Sequence, residues 1–294
     1  MSTPRARKRL WPIPLSTWPR LARQVAREAA HDRITMIAAS LAFHGFLALL
    51  PVLLATVALL GLVGLSGDAL HHLVHATRVL LPSQMSDILN QQLLKPSRRP
   101  VSVLEVSLGL LVALWSSVEA MAALQVALDQ AYETPLDRGL VGRRLVALPL
   151  IGLTLVLGGV ASVLLVLGGP IGRLLPSGFH DALVILRYGG SLVLLILMLS
   201  AYYSFGPARE TVRWEWISPG GVAAAVGWLI SSLAFSFYLD HFGHESRTYG
   251  ALAGVAVTLL WMFLTAIVVL LGAELNRELE RAEERAELPA PADE

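Results

Sequence analysis

A helix that crosses a bilayer needs roughly 20 predominantly apolar residues, because each residue advances about 1.5 Å and the hydrocarbon core is about 30 Å thick. This chain meets that requirement several times over. Ile34 to Gly67, Leu145 to Ile171, Ile217 to Leu239 and Ala251 to Ala273 contain no Asp, Glu, Lys or Arg. Leu183 to Phe205 holds Arg187 near one end, and Val101 to Leu128 carries Glu105 and Glu119 around an uncharged stretch from Val106 to Val118. Six membrane spans are predicted, at about 34–65, 101–128, 145–171, 183–205, 217–239 and 249–275. The expected fold class is all-α, a polytopic membrane helical bundle. A chain of 294 residues that is 55% hydrophobic and 15% charged leaves too little polar surface for a soluble domain of ordinary composition.

The near-neutral net charge of +1 hides an asymmetry. Residues 1–33 hold Arg5, Arg7, Lys8, Arg9, Arg20, Arg23, Arg27 and Arg33, against only Glu28 and Asp32. With six spans, Arg138, Arg143, Arg144, Arg209, Arg213, Arg277, Arg281 and Arg285 fall on the same side as this segment. Arg78, Lys95, Arg98, Arg99, Arg173, Arg187 and Arg247 are a minority on the other. The positive-inside bias therefore predicts that both termini are cytoplasmic. The apolar run starts too far from Met1 and continues too long for a cleaved signal peptide. Cysteine is absent, which excludes disulfides, thiolate metal sites and cysteine nucleophiles.

Three regions are expected: a basic cytoplasmic segment over 1–33, a membrane domain over 34–275 and a charged cytoplasmic tail over 276–294. Leu21, Val25 and Ala29 lie along one side of a basic helix that reads as an interfacial anchor on anionic lipid rather than a nucleic-acid binder. The first uncharged run would reach about 50 Å, so it must tilt or kink, and Pro51 is the natural place for a kink or a break. The segment 66–100 predicts two short amphipathic helices on the outer face, a candidate gate. Small residues form close-packing stripes: Ala38, Ala42, Gly45 and Ala48; then Gly220, Ala224, Gly227, Ser231 and Ala234; then Gly250, Gly254 and Gly272 with Ala251, Thr258 and Thr265. Beyond Glu274 the helix should continue, laced by pairs such as Glu278 with Arg281.

Ionisable groups inside spans are costly and so are candidates for function. Glu119 and Glu105 are 14 residues apart, which places them near one helix face about 21 Å from each other. They suit two ends of a polar path, or two carboxylates that simply reach water. His44 offers a titratable imidazole near Pro51, or a packing histidine bonded to a neighbouring helix. His71, His72 and His75 have metal-ligand spacing but no third ligand is signalled, so no metal site is expected. Asp240, His241, His244, Glu245 and Arg247 form a dense outer turn and a candidate portal. Pro51, Gly250, Gly254, Gly272, Glu274, Asn276 and Arg144 are candidate structural residues. Glu274 stands where the last apolar run ends, and its expected partner is the basic loop at Arg143 and Arg144. No P-loop, HExxH or GxSxG pattern occurs, so neither an enzyme nor a cofactor is expected.

Several blocks carry a resemblance. They are "DRITMIAASLAFHGFLALLPVLL" at the first span, "ALWSSVEAMAALQVALDQAYE" over Ala113 to Glu133, and "RRLVAL" opening the third span. "VRWEWISPGGVAAAVGWLISSLAFSFYL" follows over Val212 to Leu239, then "TYGALAGVAVTLLWMFLTAIVVLLGAELN" over Thr248 to Asn276. Together they resemble the YihY/BrkB family of bacterial inner-membrane proteins from about Arg27 to Glu280. The chain departs from the family pattern at Phe43 and His44, where tyrosine is common, and around Glu119, where small or basic residues are frequent. The resemblance implies a link to virulence and to lipid or lipopolysaccharide export; the family's older ribonuclease label fits the short Arg-rich loops poorly. The expected function is transporter-like handling of a lipid or other amphiphile, with membrane lipids as partners and no nucleic acid. A proton- or cation-coupled solute transporter using Glu119, His44 and Glu105 is the alternative, and a non-transporting scaffold a third. The sequence does not specify an oligomeric state.

Overall fold

The computed structural model describes residues 18–62, 103–174, 178, 180–209, 216–242 and 250–287. The described residues form seven helices and no strand: α1 (Trp18–His31), α2 (Ile34–Leu62), α3 (Val103–Ala131), α4 (Gly139–Leu174), α5 (His180–Phe205), α6 (Pro219–Phe242) and α7 (Gly250–Glu287). Among them, α3 to α7 are each long and apolar enough to cross a bilayer, and α1 and α2, bent by 69° at the break between them, make a sixth if counted as one span. The protein is a polytopic helical membrane protein. Its perimeter is apolar, with Leu104, Leu108, Leu111 and Trp115 of α3 and Leu140, Leu145 and Leu155 of α4 all exposed. That is the surface lipid requires, since every backbone polar group is already satisfied within a helix.

The first span is one continuous helix through Pro51. The break falls earlier, at the α1–α2 elbow, where the two axes meet at 69° and Arg33 has φ 52. The small-residue stripe explains how α2 docks: Ala38, Ala42 and Ala48 are buried, so α2 lies close against α3 and α7. In sequence order each of α2 to α7 packs on the next, and α7 returns to α2. The helices thus close into a ring, with α3 also touching α7 across it.

The buried core gathers at the end of the bundle where α3, α5 and α7 finish and α4 and α6 begin. Leu128, Ala131, Tyr132, Ala147, Leu150, Leu199, Tyr202, Tyr203, Ala224, Ala225 and Ala273 form one cluster there. The α6 stripe works only over its first half: Gly220 and Ala224 are buried and Gly227 meets Val268, but Ala234 is exposed and Phe235 is buried instead. Gly272 sits at a close approach of α7 to α5 and α6. A Cβ there would lie 2.5 Å from the Tyr203 hydroxyl and 2.7 Å from the Gly220 carbonyl.

One expectation about the ends needs correction. The apolar side of α1 does not face lipid: Leu21 and Val25 pack on Leu275, Leu271 and Leu279 of α7, and Ala29 joins a second cluster with Ala38, Ala127 and Leu270. As expected, the helix continues past Glu274: α7 runs unbroken to Glu287, and its Leu279 holds α1. The expected outer helices over 66–100, with His71, His72 and His75, lie outside the described residues, as do 1–17 and 288–294.

Candidate functional site

Where α2, α3 and α4 diverge they leave an open cleft of about 350 Å³. Gly45, Ala48, Leu49 and Val52 line it from α2; Ser117, Ala120, Met121 and Leu124 from α3; Ile151, Thr154 and Leu155 from α4. Pro51 lies inside the stretch of α2 that forms one wall. Among the described lining residues only two side chains carry a hydroxyl, and both protons are already used. Ser117 donates to the Ala113 carbonyl at 2.8 Å and Thr154 donates to the Leu150 carbonyl at 2.7 Å. The Tyr202 hydroxyl closes over Thr154 from α5. A polar solute entering here would lose its hydration and find few donors in return, whereas a hydrocarbon chain would lose nothing.

Glu119 and Ser117 are close in sequence yet face different ways. Glu119 lies on the outward face of α3 with Trp115, and it accepts a hydrogen bond from Arg144 of α4 at 2.7 Å. The Arg144 guanidinium also stands over the Trp115 ring, 5.0 Å from its centroid. This is a paired charge on the perimeter, with 38% of the Glu119 side chain and 43% of that of Arg144 exposed. His44 departs from the expected bond to a neighbouring helix: its Nδ1 bonds the Ser40 carbonyl of its own helix at 2.8 Å, and its ring meets Phe43 edge-on. It bridges to no neighbouring helix by that nitrogen and is not part of the cleft lining.

Beneath the cleft, the ends of α3 to α7 are tied together by side chains. Asp129 accepts from the Ala208 amide at 2.6 Å and pairs with Arg143, which also reaches Asp137. Arg138 collects the carbonyls of Phe205, Gly206 and Pro207, supplying donors to the orphaned C-terminal end of α5. Arg209 pairs with Glu280 at 2.9 Å and stacks on Tyr132. Ser218, Pro219 and Gly221 begin α6 as sequence rules anticipate: the Ser218 hydroxyl caps the Gly221 amide at 3.0 Å, and proline occupies the first helical position. The remaining Gly220 amide donates to Asn276 Oδ1 of α7 at 2.7 Å, and Asn276 Nδ2 donates to Ser218. Tyr203 donates to the Val269 carbonyl at 2.7 Å. Burial pushes the Tyr132 phenol well above its ordinary value, so it remains a neutral partner of Asn276.

Glu274 is corrected most sharply. It does not meet Arg143 or Arg144, whose partners are Asp129, Asp137 and Glu119. It is buried, 3% exposed, and faces Asp32 and Glu28 of the α1 end and Glu133 after α3. Its Oε1 has no hydrogen-bond partner. The nearby cation, Arg281, is held by Glu28, Glu133 and Glu278. Glu133 follows α3 in a left-handed conformation, φ 49, and its bond from Arg281 holds its carboxyl below the usual range.

Of the expected portal, His241 is exposed at the end of α6, bonding the Phe237 carbonyl at 2.9 Å. The side chain of Asp240 and all of His244, Glu245 and Arg247 lie outside the described residues, as does the side chain of Glu105. Gly254 is buried where the Thr258 hydroxyl donates to its carbonyl, and Gly250 begins α7. Sequence reasoning overlooked Asp129, Arg138, Arg143, Arg209 and Glu280 as a set. Their signal was present as charges at matching span ends, but pairing them requires knowing which ends are neighbours.

Residues 25–294 match the family model described as Virulence factor BrkB. The chain is similar to a ribonuclease-like protein named YfkH from Bacillus subtilis, with 31% identity over 85% of this chain and 90% of that one. It is also similar to a UPF0761 membrane protein of Methylibium petroleiphilum, 25% identical over 88% of this chain and 62% of that protein. A UPF0761 membrane protein of Nitrosospira multiformis is 40% identical over 30% of this chain and 20% of its own length. The chain thus spans less than two thirds of these UPF0761 relatives. No solved structure matches.

Proposed function

We propose, from the premise that this chain belongs to the virulence factor BrkB family, that its membrane bundle is transporter-like and receives a lipid or other amphiphile in the cleft between α2, α3 and α4. The observation that carries this reading is the chemistry of the lining. A space of about 350 Å³ whose only hydroxyls are already bonded suits an acyl chain and offers nothing to orient a hydrophilic solute. The paired state of Glu119 and the self-bonded His44 weigh against a polar relay through these groups. We place the chain in a bacterial inner membrane with the charged end of the bundle and both termini cytoplasmic, in keeping with the distribution of arginine. We read it as non-enzymatic; the ribonuclease-like wording belongs to the Bacillus relative.

The test is movement of fluorescent phospholipid in proteoliposomes, read by quenching of the outer leaflet. The protein should accelerate exchange over empty vesicles, and Ala120→Trp, which fills the cleft, should remove most of the gain while the protein stays folded. Exchange no faster than in empty vesicles, or unchanged by the filled cleft, overturns the reading.

A further inference from the structure

The ion pair of Glu119 and Arg144 stands where a membrane helix has least use for charge. On α3, Val112 and Val126 lie two turns to either side of Glu119 along one helix face, with Trp115 one turn away, and all three are exposed. On α4, Leu140 and Leu148 lie one turn to either side of Arg144, and both are exposed too. The two charged residues fall inside the apolar stretches Val106–Ala131 and Gly139–Leu165, each fit to cross a bilayer. Along α3, Glu119 is about 15 Å from Asp129, the residue that ties α3 to the Ala208 amide and to Arg143 at the charged end of the bundle. Surface suited to acyl chains therefore continues beyond the pair in both directions.

The second observation is what the pair leaves unmet. A guanidinium has five N–H donors, and Arg144 gives Glu119 a single bond, from Nη2 to Oε1 at 2.7 Å, while one face of its plane rests over Trp115. Among the described residues neither side chain makes another hydrogen bond or ion pair, and each keeps more than a third of its surface open. Acyl chains satisfy none of this, and bare ionised groups in hydrocarbon are strongly disfavoured. The polar chemistry a bilayer can bring is that of its headgroups. The site is electrically neutral overall and presents free donors on Arg144 beside a free acceptor, Oε2 of Glu119. An anionic head answers the guanidinium but sets a second negative charge against Glu119. A choline head has no N–H to give the carboxylate. A phosphodiester joined to a primary ammonium answers both groups, with charge-assisted hydrogen bonds at each.

We propose that Glu119 and Arg144 form a binding site for the headgroup of phosphatidylethanolamine on the lipid-facing side of α3 and α4. The lipid comes from the leaflet at the charged end of the bundle. Its phosphate accepts from the free donors of Arg144, its ammonium donates to Oε2 of Glu119, and its chains run along Val112 and Leu148 towards the middle of the bilayer. The cleft residue Ser117 faces away from Glu119 on α3, so this is a second lipid site, and it holds its lipid whether or not the cleft moves one.

Native mass spectrometry of the full chain, released from detergent with lipids of identical acyl chains, tests the site. Phosphatidylethanolamine should be retained about tenfold more than phosphatidylcholine, the factor carried by one hydrogen bond to a charged group, and more than phosphatidylglycerol. Stepwise N-methylation of the ethanolamine head needs no change to the protein: retention should persist while one N–H remains and fall at choline. Glu119→Gln should bring phosphatidylethanolamine down to the phosphatidylcholine level, and Arg144→Gln should lower both. Asp137→Asn, which removes an exposed carboxylate paired with Arg143 at the charged end, should leave the preference intact. Circular dichroism of each variant checks that its helices are unchanged. Equal retention of the ethanolamine and choline lipids by wild type, or a preference that survives Glu119→Gln, overturns the proposal. Strongest retention of phosphatidylglycerol, lost in Arg144→Gln, also overturns it, by showing an anionic head as the occupant.

Discussion

Replacing Asn276 by alanine should cost this protein far more than an average interhelical hydrogen bond. Asn276 is 7% exposed on α7, and its Oδ1 accepts the Gly220 amide at 2.7 Å. That amide belongs to the first turn of α6, where no carbonyl of its own helix is available. In the variant it is buried without an acceptor, a loss of about 1–3 kcal/mol. The Tyr132 hydroxyl loses its bond to Asn276 but keeps Arg209, and Ser218 loses a long contact of 3.3 Å while keeping Ser200 and Gly221. Together these add about 1 kcal/mol, so the total is about 2–4 kcal/mol, against roughly 0.6 kcal/mol for a typical side-chain bond between membrane helices. Reversible unfolding in mixed micelles titrated with dodecyl sulfate measures it. Asn276→Asp retains an acceptor aimed at a helix N-terminus, where negative charge is favoured, and should recover at least half of the loss. A cost below about 0.5 kcal/mol for alanine, or an aspartate no better than alanine, would refute the assignment of Asn276 as the cap of α6.

Gly272→Ala places a methyl 2.5 Å from the Tyr203 hydroxyl and 2.7 Å from the Gly220 carbonyl; because one neighbour is backbone, thermal melting should show a loss of about 1–3 kcal/mol or more. Glu119→Gln should change stability by less than about 1 kcal/mol, as expected for a pair this exposed, and Glu119→Arg combined with Arg144→Glu should match wild type in the same melt. Glu274→Arg combined with Arg144→Glu should be no more stable than the sum of the single changes, since the two residues pair with different partners. Glu133 titrates below its ordinary value of 4.5 when folded, so its contribution is complete above that pH and is lost as pH falls through the lower folded value. Acid unfolding of Glu133→Gln should therefore begin from a lower stability at neutral pH and lose less on acidification, and an unchanged acid profile would contradict the Arg281 bond.

The helix content and its placement were legible in residue order because lipid imposes a rule that acts on one segment at a time. A run without charge, long enough to cross, must satisfy its backbone internally: the expected span at 183–205 lies within α5, and those at 217–239 and 249–275 coincide with α6 and α7 but for one or two residues at their starts. Local chemistry was readable for the same reason: Ala38, Ala42 and Ala48 mark a face for close approach. Partners were not readable. Arg144 and Glu274 looked complementary as a basic loop and a nearby acid, but the ring closure of α7 against α2 and α1 carries Glu274 to Asp32, while the α3–α4 pairing brings Arg144 to Glu119. Likewise α1 showed an apolar edge, and only packing decided that α7 rather than lipid covers it. The apolar length and composition of each span follow from energies paid within one helix, so the sequence alone determines them. Which charge meets which, and where helices part to leave a cleft, depend on sums over several helices at once and were decided by the tertiary structure.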